Sequence, residues 1–118
     1  MVGTARPGTF SDEQIEGYRE AWARPGALRA MIQWYRAALR HRARGPNRPI
    51  GPPTLILWGE RDPFLDRRMV EPSLELCDNA RLQTFPDATH WVQHEEPSAV
   101  NEAILAFART PQNETSPP

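Results

Sequence analysis

The sequence predicts an α/β fold with parallel strands, and three features carry that prediction. Leu55-Ile56-Leu57-Trp58 is a continuous apolar run bounded by Pro52-Pro53 on one side and Gly59 on the other. A run so short and uniform suits a strand covered on both faces of a parallel sheet. A helical stretch and a second strand, Arg81 to Phe85, follow it, and strand-helix-strand order implies a right-handed crossover. The loops after the two strands then hold Asp62 and His90, at the sheet edge where ligands bind in open α/β folds.

Residues 1–9, with two glycines and a proline, read as a loop or a disordered start. Ser11-Asp12-Glu13-Gln14 is a capping box, with Phe10 and Ile15 placed as its hydrophobic staple. The helix it opens carries Ile15, Tyr18 and Trp22 on one face and ends at Arg24-Pro25-Gly26. A second helix follows, with Leu28, Met31, Ile32, Tyr35 and Leu39 at helical spacing. Arg36, Arg40, Arg42 and Arg44 near its end suit the negative pole of the helix dipole, with phosphate contact as the competing reading. These helices make a hairpin over 10–44, and residues 45–53, rich in proline and glycine, form a stiff connection. The α/β part occupies 54–109. Within it, Arg67 to Cys77 reads as helix with a fresh turn at Pro72, and Asn79 as its terminator. A last helix starts at Glu95-Glu96-Pro97 and buries Val100, Ala103, Ile104 and Phe107. The tail 110–118 is polar, proline-rich and expected to be disordered.

Composition narrows the function by exclusion. The chain has 118 residues with 14 basic and 15 acidic side chains, so neither nucleic acid nor an anionic membrane is an expected partner. All the basic residues are arginine, which we read as a genomic bias. Cys77 is the single cysteine, which excludes an internal disulfide framework and makes a reducing cytoplasm the default location. No apolar stretch reaches the roughly 18 residues that a membrane helix needs.

Asp62 and His90 are the candidate catalytic pair. A carboxylate on one imidazole nitrogen fixes the tautomer and stabilises the imidazolium, leaving the other nitrogen free to act as a base. Taken singly, His90 is more often a structural or surface histidine than a catalytic one, and Asp62 a loop cap. Glu60 and Asp66 flank Asp62, but Glu60 lies nearer the strand and Asp66 suits a helix cap. His94, four residues beyond His90, has metal-ligand spacing without an evident third ligand. Cys77, within the expected helix and without a basic neighbour, reads as a buried inert thiol.

The segments WGERDPFL, FPDATHWVQHEEP and VNEAILAF resemble the closing part of an α/β-hydrolase, in particular its epoxide hydrolase branch. DEQIEGYREAWARPGALRAMIQWYR resembles the end of that branch's cap domain. The resemblance runs from Phe10 to Phe107 and implies the C-terminal part of an α/β-hydrolase fold preceded by a cap hairpin. It implies Asp62 as the acid, His90 as the water-activating base and Tyr35 as a proton donor to the epoxide oxygen. Trp34 and Trp91 become candidate walls of the substrate pocket, although packing explains Trp34 equally well. Tyr35, read from its helix face alone, is a core residue. No cofactor and no metal are implied; the partners are a small electrophile and the missing N-terminal half. The nucleophile elbow, the oxyanion segment and a second cap tyrosine are absent from these residues, so a truncated chain without turnover of its own is expected. A dehalogenase or esterase of the same fold, or a non-catalytic remnant that binds a partner, are the alternatives.

Overall fold

A computed structural model describes residues 2–40 and 49–110. Arg42, Arg44, the first part of the 45–53 connection and the tail from 111 lie outside the described residues. The chain divides into two compact units, Phe10–Asn47 and Met1–Thr9 with Arg48–Pro118.

The helical unit holds α1 (Asp12–Ala23) and α2 (Ala27–Arg40). The capping box forms as expected: the Gln14 amide donates to Ser11 Oγ at 3.2 Å, and the Ser11 amide donates to Gln14 Oε1 at 2.9 Å. Phe10 meets Tyr18 edge-to-face at 6.3 Å, and Tyr18 in turn lies 5.7 Å from Trp22. Gly26, at φ 82°, makes the turn that β-carbon sterics deny to other residues. The apolar face expected on α2 is not buried. Leu28, Ile32, Tyr35 and Leu39 are 57%, 58%, 66% and 81% exposed, which corrects the reading of Tyr35 as a core residue. Helical periodicity defines a stripe, but a hairpin supplies only one neighbour to cover it.

The second unit is built on two parallel strands, β1 (Thr54–Gly59) and β2 (Ala80–Phe85), paired from Thr54↔Ala80 to Gly59↔Phe85. Between them, a 3-10 turn over Arg67–Met69 is capped by Asp66, and α3 (Val70–Glu75) follows. Pro72 does not start the new turn, because α3 begins at Val70. The proline fits the first turn, where its missing N–H has no intrahelical partner. The expected helix also ends early. Leu76 is its C-cap, and Cys77 lies outside it in a bridge with Ile50, half-buried, with Sγ donating to the Ser73 carbonyl at 3.4 Å.

After β2 the chain makes a loop, a four-residue helix α4 (Val92–Glu95) that the sequence did not signal, and α5 (Pro97–Arg109) with Pro97 at its first position. Phe85, Ala88 and Val100 form the core, with Leu57, Val92 and Ala99 packed on it. Val70, the first residue of α3, is buried outside this cluster. Two further expectations need correction. Ile104 is 48% exposed, so α5 buries only Val100 fully. β1 is half-buried along most of its length, because a sheet with one neighbouring strand leaves its apolar faces partly uncovered. Among the described residues no helix is long and apolar enough to cross a membrane.

Gly59 is the closest crossing in this unit. A β-carbon there would lie under 3.0 Å from backbone atoms of Ala88 and Thr89, which cannot swing aside as a side-chain tip does. Gly59→Ala is therefore expected to cost at least the ~1–3 kcal/mol typical of overpacking. Its urea unfolding midpoint at neutral pH checks this, and a midpoint equal to the unsubstituted chain's would refute the crossing.

Candidate active site

The two loops beyond the strands are stitched to each other before any side chain is considered. The Glu60 amide donates to the Phe85 carbonyl at 3.0 Å, and the Arg61 amide donates to the Ala88 carbonyl at 2.9 Å. Asp62 follows in a turn closed by its own amide on the Gly59 carbonyl. Asp62 Oδ1 accepts from the amides of Phe64 and Leu65 at 2.8 and 3.0 Å, and Oδ2 lies 2.8 Å from His90 Nδ1. One oxygen shapes the loop and the other holds the imidazole.

The Asp62 side chain is 8% exposed and that of His90 is 38% exposed. Burial on its own raises the Asp62 pKa. The His90 hydrogen bond and the two amides outweigh it, so the carboxyl titrates below its ordinary range. With a carboxylate on Nδ1, Nε2 is the nitrogen left to exchange a proton with a reactant. Phe64 and Trp91 meet the imidazole edge-to-face, at 5.1 and 5.6 Å between ring centres. The Trp91 indole is itself anchored, with Nε1 donating to Thr4 Oγ1 at 3.0 Å.

The structure thus brings together Asp62, His90 and Trp91 of the expected site residues. Tyr35 and Trp34 belong to the helical unit, where their rings touch edge-to-face at 5.3 Å and are 66% and 68% exposed. The competing acids are otherwise engaged: Glu60 pairs with Arg67 at 3.0 Å, and Asp66 caps the 3-10 turn and binds Arg68. His94 sits in α4 with its ring 6.5 Å from that of Trp91. Among the described residues, no three of His, Cys, Asp and Glu gather as a metal site would require. Sequence reasoning misses Phe64, although its place directly after Asp62-Pro63 puts it within reach. The sequence places Glu95 at the acidic start of the last helix, yet it ends α4 with its side chain fully buried, while Glu96 takes the N-cap.

Residues 6–97 match the family model of the alpha/beta hydrolase fold. The chain belongs to this family. It is 39% identical over 105 residues to the AB hydrolase superfamily protein YfhM of Bacillus subtilis, covering 88% of this chain and 36% of that protein. It is 33% identical over 111 residues to Epoxide hydrolase 2 of Caenorhabditis elegans, covering 90% of this chain and 30% of that one. Among solved structures, an M145A mutant of an epoxide hydrolase from Bacillus megaterium superposes with a TM-score of 0.72 at 24% identity, over 86% of this chain and 38% of that chain. Cfl2 from Burkholderia cenocepacia gives a TM-score of 0.76 at 24% identity, over 91% of this chain and 37% of that one. These structures share the fold, and among the sequence relatives are epoxide hydrolases, which the chain resembles. The chain spans about a third of the length of the curated relatives it matches.

The lowered Asp62 pKa has a stability consequence with a definite sign. A carboxyl whose folded pKa is depressed stabilises the fold above its unfolded pKa, and that contribution is lost as pH falls through the folded value. Urea unfolding between pH 6 and 2 should therefore show stability declining below about pH 4. Asp62→Asn, which cannot titrate, should decline less steeply over the same interval. Parallel curves for the two proteins would show that Asp62 is not tied to the folded state.

Proposed function

We propose that this chain supplies the water-activating half of an epoxide hydrolase-type reaction. The observation that carries this reading is the 2.8 Å contact of His90 Nδ1 with Asp62 Oδ2 at the ends of adjacent parallel strands. In the proposed reaction an aspartate outside these residues attacks an epoxide carbon, breaking the C–O bond and forming an alkyl-enzyme ester. Tyr35 gives its phenolic proton to the departing oxygen. His90, through Nε2, then takes a proton from water as the oxygen attacks the ester carbonyl, and Asp62 stabilises the imidazolium. The tetrahedral adduct then collapses: its ester C–O bond breaks, the leaving alkoxide takes the adduct's hydroxyl proton to complete the diol, the aspartate carboxylate is restored, and the His90 imidazolium returns its proton by way of solvent to the Tyr35 phenolate. A single cysteine favours a reducing, cytoplasmic setting for this chemistry.

By this proposal the 118-residue chain alone has a base and its orienting acid but no nucleophile, and should not turn over an epoxide. The direct test replaces the matching third of Epoxide hydrolase 2 of Caenorhabditis elegans with this chain. In that protein, His90→Gln should form the ester and then stall, leaving substrate mass on the enzyme by mass spectrometry. Normal turnover by His90→Gln would overturn the assignment.

Tyr35→Phe keeps the ring and removes the proton, so single-turnover epoxide opening should slow by about 10²–10⁴-fold, the usual worth of a general acid. Hydrolysis of the ester, once formed, should continue at its former rate. Equal opening rates with and without the hydroxyl would remove Tyr35 from the mechanism.

A further inference from the structure

We infer that Glu95, held in place by Arg6, is a positioning residue for His90, and that their contact locks the loop from Ala88 to Trp91 which presents the base. This rests on the catalytic reading of His90 given above. The Glu95 side chain is 0% exposed, and a carboxylate so placed is costly unless its oxygens are satisfied. They are satisfied by the residue next to His90. The Thr89 amide donates to Glu95 Oε2, and the Thr89 hydroxyl donates to Oε1 at 2.8 Å. The Arg6 amide donates to Oε1 at 2.8 Å, and its guanidinium stands 3.9 Å from Oε2. Arg6 also donates to the Glu95 carbonyl and pairs with Glu96 Oε1 at 2.8 Å.

Both oxygens accept only from donors, so a neutral amide of identical shape cannot replace the carboxylate. In either orientation its NH₂ group faces an N–H, of Arg6 or of Thr89. The same loop also crosses close to Gly59, where an added β-carbon would lie under 3.0 Å from backbone atoms of Thr89 and Ala88. His90 is therefore flanked on its N-terminal side by a residue clamped between a buried anion and a strand end. Burial raises the Glu95 pKa, but the Thr89 and Arg6 contacts more than offset that and keep the group ionised. A base displaced by about 1 Å loses on the order of 10²-fold in rate, which is why such a clamp matters to the chemistry.

The test reads position and chemistry separately. In ¹⁵N-labelled 118-residue chain, the His90 Nδ1 proton, assigned by its disappearance in His90→Gln, should be slow to exchange. In Glu95→Gln that proton should exchange rapidly, and the amides of Thr89 to Trp91 should exchange about 10- to 100-fold faster. Strand amides such as those of Leu57 and Phe85 should keep their protection. Thr89→Val, which removes one donor at constant shape, should move the same signals part of the way, and Thr89→Ser should restore them. In the composite enzyme, Glu95→Gln should slow ester hydrolysis about 10²-fold and leave ester formation unchanged. Unchanged ring-proton exchange, or protection lost equally in the strands, overturns the inference. If Glu95→Gln does not fold, Thr89→Val decides by the same two readings. Should His90→Gln leave hydrolysis intact, the catalytic reading falls while the exchange data still judge the clamp.

Discussion

Parallel pairing of β1 with β2 is the constraint on which the sheet unit depends. The ladder ends at Gly59↔Phe85, and both strands therefore release their loops at the same edge. Two more main-chain bonds, Glu60 to Phe85 and Arg61 to Ala88, carry the alignment past the strands. Parallel strands cannot be joined by a tight turn, so the crossover through α3 is obligatory, and its first part, the loop after β1, carries Asp62 at the carboxyl edge. The core made by Phe85, Ala88 and Val100 lies against this same edge. Packing and chemistry thus share one place: the loop that buries Ala88 also presents His90 two residues later. Gly59 is where the two demands meet, since only a residue without a β-carbon lets that loop cross so close to the strand.

Asp62 and Glu95 show one physical problem solved twice. Each carboxylate is taken almost wholly out of water, and each has its charge supported by main-chain amides, those of Phe64 and Leu65 in its own loop for Asp62 and those of Thr89 and Arg6 for Glu95. What differs is the remaining acceptor capacity. Asp62 spends it on the imidazole, so its anion acts on the His90 ring directly. Glu95 spends it on Thr89 and Arg6, so its anion acts on the loop that carries His90. The surface pairs Arg19–Glu16 and Arg61–Asp87 lack such enclosure, with side chains 60% to 69% exposed, and pairs of that kind are worth little.

What was legible in the sequence was what local chemistry decides. The Ser11 capping box, the apolar β1 run, Pro97 at the start of α5 and the strand-end positions of Asp62 and His90 all depend on nearest neighbours along the chain. The misreadings came where distant contacts decide. Periodicity marked Ile104 and the α2 stripe as apolar faces, but periodicity does not say whether anything covers a face. Proline usually interrupts a helix, but three residues of 3-10 turn and the start of α3 already precede Pro72. Phe64 and Glu95 escaped notice because their roles exist only after the two loops have been brought together. Nothing in HEEP distinguishes a solvated helix start from a buried clamp.

The contacts that position His90 come from residues 4–6 and 59–95, all within the sheet unit. Tyr35 stands on α2, whose apolar face is exposed, in a hairpin whose first helix, α1, has the capping box and the aromatic row. On the proposed chemistry, this division matches the two half-reactions. Opening an epoxide needs the acid of the helical unit, whereas hydrolysing the ester needs only the base of the sheet unit. The second step can therefore rely on geometry set by short hydrogen bonds inside one compact body. The first must rely on how Tyr35 is presented to the substrate, a condition the Asp62–His90 pair does nothing to enforce. Substitutions inside the 59–95 network should then separate kinetically from substitutions on α2, because each perturbs a geometry that the other does not share.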